Sequence, residues 1–182
     1  MADTANHLYS QMAVAASHGI VLVSAARAAE AIEILEATAT TCREKKFVGQ
    51  LIIALRDLGR AYVLAGRPAE AIALEQECID LQETAKVYVN RGLQHTTLVE
   101  AHLALGNLGQ AAAVLESALD FAQRNGERGT EGWARLTGGE LALRRGDRAT
   151  AARYFDEAQE IAEELGMRPL VERCRAALRE VG

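Results

Sequence analysis

The chain has 182 residues, 49% of them hydrophobic but only 4% aromatic, and a formal net charge of −5. An alanine- and leucine-rich chain with few aromatics suits closely packed helices and argues against a sheet of β-branched residues. The acidic balance, with no basic stripe, gives no reason to expect nucleic acid as a direct partner.

No apolar run reaches the roughly 18 residues of a membrane span, which excludes a membrane-embedded helix. The amino terminus lacks the basic start and cleavage site of a signal peptide, so a cytoplasmic protein is expected.

Taken in chain order, apolar periodicity predicts a first helix over about 5–25 and a second over about 28–45. Met12, Val14, Ile20, Val21 and Val23 make the first apolar on more than one face. The turn between these helices, Ala25-Ala26-Arg27-Ala28, has neither glycine nor proline. A second pair covers about 48–65 and 68–85, closed by Gly66 and reopened by Pro68, a left-handed stop followed by a first-turn proline. A third pair covers about 88–105 and 108–125, and a fourth about 129–145 and 148–165; Asn107 and Asp147 stand where N-caps belong. Pro169 opens a last helix over about 169–180, with Leu170, Cys174 and Leu178 on one side and Glu172, Arg173 and Arg175 on the other. An apolar face inward and a charged face outward suits a terminal cap.

The four pairs share one register. Ala31, Ala71, Ala111 and Ala151 recur at one constant interval, and Ala26, Gly66, Gly106 and Gly146 stand at a fixed offset just before them. Further upstream, again at one offset, come Gly19, Gly59, Val99 and Gly139; downstream come Thr38, Cys78, Ala118 and Ala158. An uninterrupted register of small residues means one supersecondary unit repeated four times and stacked. The small residues are expected to let the two helix backbones of each unit approach closely. Residues 1–182 then form a single repeat domain, with repeats at about 5–45, 48–85, 88–125 and 129–165.

No catalytic constellation is apparent, so no enzyme activity and no cofactor are expected. His95 and His102 share a helix face, but no HExxH spacing, phosphate-binding glycine loop or nucleophile elbow accompanies them. Cys42, Cys78 and Cys174 have neither pairing nor metal spacing, and Cys78 reads as a small core residue.

These residues resemble the tetratricopeptide repeat. Leu58-Gly59, Tyr62, Gly66, Ala71 and Cys78 fall at the family's signature positions, and Gly106, Ala111, Ala118, Gly146, Ala151 and Ala158 continue them. The usual period is about 34; the longer one here implies longer helices. The stretch from Leu143 to Leu170 is similar to carboxy-terminal repeats of LuxR/MalT-type activators and of repeats associated with adenylyl cyclases in bacterial regulators.

The resemblance implies an all-α, right-handed helical solenoid of four helix-turn-helix repeats plus a capping helix. It implies a non-catalytic protein-interaction module or scaffold, in bacterial regulation or signalling, that takes a peptide or helix in a concave groove. The alternative it leaves open is a sensory domain that binds an effector within a multidomain transcription regulator or cyclase.

Carrying over the groove positions gives Arg56, Arg60, Thr96, Glu100, Trp133, Leu136, Glu140 and Arg144 as partner-binding candidates. Arg56 and Arg60 are expected to face solvent, and Arg60 and Glu100 are alternatively expected to pair across repeats. Val14, Ile20, Val21 and Val23 are candidates for self-association, because a terminal helix should have a polar outer face. A homodimer through the first helix, repeats lost from a longer parent, a swap of a straightened 5–45 helix, or a folded-back tail over 2–11 would each cover them.

Overall fold

A computed structural model describes residues 2–87 and 91–182, with side chains from residue 7 onward. Among these residues the chain is helical throughout: α1 (Ala2–Ser24), α2 (Ala28–Lys45), α3 (Val48–Leu64), α4 (Pro68–Ala85), α5 (Arg91–Ala104), α6 (Leu108–Asn125), α7 (Arg128–Arg144), α8 (Arg148–Glu164) and α9 (Arg168–Val181). The expected start of the third repeat at 88 lies outside the described residues. Two compact units are formed, Met1–Arg91 and Gly92–Gly182.

A residue with positive φ follows each helix from α1 to α8, at even spacing: Ala26, Lys46, Gly66, Lys86, Gly106, Gly126, Gly146 and Gly166. The N–H after each donates to a carbonyl in the last turn of the helix, as in Arg27 to Leu22 (2.9 Å), Arg67 to Tyr62 (2.8 Å) and Met167 to Ala162 (2.8 Å). This bond satisfies a carbonyl that the helix end would otherwise leave free. Ala26 makes the turn without glycine, so the first two helices do not straighten into one. The tail is likewise not folded back, because α1 runs unbroken from Ala2. Asp147 caps α8 by accepting from the Thr150 N–H at 3.0 Å, whereas Asn107 makes no side-chain cap.

Each hairpin packs around one register. Ala31, Ala71, Ala111 and Ala151 are fully buried. The glycines on the preceding helices do not bring two backbones together, as the spacing suggested. They make room for a side chain: a Cβ at Gly19 would fall inside Leu35, one at Gly59 against Glu75, and one at Gly139 inside the Phe155 ring. In α7 and α8, Gly139 faces Phe155 and Gly132 faces Ile161, so the helices run antiparallel.

The core of the first unit is built on Leu35, Ile52, Leu55, Leu58 and Cys78. In the second unit one cluster holds Val99, Ala111, Leu115 and Leu141, and another Leu136, Phe155, Leu170 and Cys174. All three cysteines are free thiols in these cores, and burial pushes the Cys174 thiol up to about 11.

Candidate functional site

In the second unit, α5, α7 and α9 each send one or two polar or aromatic side chains to a common point. Glu100 and Glu140 occupy the same register position in successive repeats, as do Trp133 and Arg173. Arg173 of α9 donates to Glu140 at 2.9 Å and to Glu100 at 3.3 Å. Its guanidinium lies over the Trp133 ring, 5.3 Å from the centroid. All four residues are half-buried.

Burial pushes the Glu140 carboxyl up; Arg173 opposes that shift and the neighbouring charge of Glu100 reinforces it. Burial alone would lower the Arg173 guanidinium, but the two carboxylates outweigh it and hold the cation firmly charged. The result is an aromatic, acidic surface bridged by one cation.

Arg144 is exposed at the end of α7 and lends a favourable charge to the Glu140 carboxyl. Thr96 is buried and donates its hydroxyl to the Leu93 carbonyl at 2.7 Å. Leu136 is 1% exposed and belongs to the Phe155 core, so the chain itself fills that position. Glu100 accepts from Arg173 within its own unit.

In the first unit Arg56 is buried, against the expectation that it faces solvent, and pairs with the equally buried Asp57 at 2.7 Å. Its neighbour Arg60 is half-buried and contributes a favourable charge to Asp57. Burial raises the Asp57 carboxyl despite both arginines.

On α1, Val14 and Val21 are 70% and 63% exposed, Ile20 is half-buried, and Val23 is core. The outward apolar positions among the four candidates thus reduce to two, stacked two turns apart on one helix face.

A separate cleft of about 530 Å³ in the second unit lies over Gly138, between α6 and α8. Leu115, Leu119, Leu141 and Tyr154 line it, with Glu116, Asp120 and Arg145 among its polar lining. At the same register Leu58 and Leu98 are buried leucines, whereas at Gly138 the side chains of Leu115 and Tyr154 close to 3.2 Å of where a Cβ would stand.

Sequence reasoning missed Arg173, which it assigns to the solvent side of a cap. The available signal is its position one full period after Trp133. It also missed Glu75, whose register position holds Leu35, Leu115 and Phe155 elsewhere.

The family model for the tetratricopeptide repeat matches residues 11–84. That match and the repeated helix pairs together support a tetratricopeptide-repeat array. The same register and helix pairs continue past the matched segment, through α6, α7 and α8. No curated protein matches the chain. Tetratricopeptide repeats are protein-interaction modules. Among the described residues no helix is long and apolar enough to cross a membrane.

Proposed function

We propose that this tetratricopeptide-repeat chain is a non-catalytic interaction module that takes a peptide or helix across the α5–α7–α9 face of its second unit. The carrying observation is the convergence of Trp133, Glu100, Glu140 and Arg173 from three helices, all partly open to solvent. A half-buried tryptophan flanked by charge has the character of an interface hot spot. Arg144, exposed at the end of α7, extends the polar contact set. The resemblance to repeats of bacterial regulators supports a regulatory setting.

Affinity capture with three baits tests this reading: the native chain, Trp133→Ala and Glu140→Lys, each checked for helicity. The expected result is a protein retained by the native bait and lost from both variants. A partner held equally by all three would overturn the assignment of this face.

The cleft over Gly138 favours a second reading, a sensory domain for a small effector. Its volume falls within the range of about 300–1,000 Å³ usual for small-molecule sites, and its floor is apolar. Tyr154→Ala should weaken effector binding and leave partner capture intact if that reading holds.

A further inference from the structure

The first unit contains a carboxyl group at a register position that holds a hydrocarbon in the other repeats. Glu75 on α4 stands where Leu35, Leu115 and Phe155 stand elsewhere, and its relative exposure is 0%. Among the described residues, neither of its carboxyl oxygens has a hydrogen-bond partner. Gly59 on α3 leaves the space the carboxyl fills, since a Cβ there would collide with it.

The charged groups facing Glu75 from α3 are Asp57 and Arg56. Arg56 already gives its guanidinium to Asp57 at 2.7 Å, leaving a net-neutral pair beside the carboxyl. From α2, Arg43 spends its guanidinium on the solvent-exposed Glu77 of α4. An ionised carboxylate in this place would be buried without a hydrogen bond, beside a cation already committed to Asp57. That is a costly state, and a proton removes it.

We propose that the α3–α4 hairpin is a proton-coupled element: it closes with Glu75 protonated, and loss of that proton loosens α4 from α3. Burial, reinforced by the charge of Asp57, raises the Glu75 carboxyl well above its ordinary range, in keeping with this coupling. The sign follows from linkage. A carboxyl raised in the folded state contributes its full stability below the unfolded value, about 4.3, and that contribution is lost as pH rises through the raised folded value. Loosening the hairpin would release the α3 face that carries Arg56 and Asp57. This gives the first unit a pH dependence that a leucine at position 75 would not have.

Native-state hydrogen exchange on the full chain tests the proposal, with α3–α4 amides of the native chain referenced at each pH to the same amides of Glu75→Gln, which retains Asp57. In the native chain, relative protection should fall with rising pH, by at most about tenfold per unit, somewhere between about pH 5 and about pH 9. Glu75→Gln keeps the shape and the Asp57 carboxyl but lacks the Glu75 proton equilibrium, so the ratio isolates Glu75. Glu75→Leu should be better protected, and it serves as the reference if the glutamine variant folds poorly. A flat native ratio, or a variant that follows the native slope, would overturn the proposal.

Discussion

Arg173 of α9 lies over the indole of Trp133 from the equivalent register position one period on, with 5.3 Å between guanidinium carbon and ring centroid. Two matching positions in the register thus hold the two halves of a cation–π contact. The same guanidinium bridges Glu100 and Glu140, so one side chain on α9 organises the face built by α5 and α7.

Removing that side chain should uncover the indole without unfolding the unit. Arg173 is about two-fifths exposed and its pairs are screened by solvent, so Arg173→Ala should cost no more than about 1 kcal/mol. Trp133 is the only tryptophan, which makes its fluorescence a local probe. Its emission should shift to longer wavelength while the melting temperature changes little. A large fall in melting temperature with unchanged emission would contradict this arrangement.

Charge reversal at Arg56 should behave differently from what its groove register implies. The residue is buried against Asp57, so Arg56→Glu places two carboxylates together beside Glu75. Breaking a buried pair in this way costs about 3–5 kcal/mol. Urea unfolding should show that loss in the first unit. A neutral effect would mean that the Arg56 side chain is solvated.

Overpacking should be felt at the small-residue register. Ala111 is fully buried in one cluster with Val99, Leu115 and Ala134. Ala111→Leu should cost about 1–3 kcal/mol, because the added methylenes force neighbours off their rotamers. An unchanged melting temperature would place Ala111 outside the α5–α6–α7 core.

The helix order and most helix ends were legible in the sequence because Gly66, Gly106 and Gly146 mark turns openly. The turns at the half-period were harder to see. Lys46 and Lys86 take the same left-handed conformation without the residue type that announces it. The glycines at 19, 59 and 139 were recognisable as packing positions, but the side chains received there were not, since Leu35, Glu75 and Phe155 come from the partner helix. Trp133, Glu100 and Glu140 were reached as one face through the groove positions that the resemblance implies. Arg173 was not, because a charged residue on a terminal helix reads first as solvated surface. Thr96 and Leu136 follow groove spacing yet are buried, a result of how tightly α5 and α7 sit in their own unit.

Self-association through α1 should depend on Val14 and Val21, the outward apolar positions among the four candidates. Light scattering at tens of micromolar should give a dimeric mass if a second copy covers this face. Val21→Glu should then return a monomer with helicity unchanged, since the position is exposed. A monomeric native chain at that concentration would remove the dimer.

The central claim is that a partner lies across the second unit's α5–α7–α9 face. Hydrogen exchange on the native chain, with and without its captured partner, measures this most directly. The account predicts added protection concentrated in α5, α7 and the first half of α9, together with a change in Trp133 emission. Protection confined to α1–α4, or to the α6–α8 cleft with Trp133 silent, would contradict it.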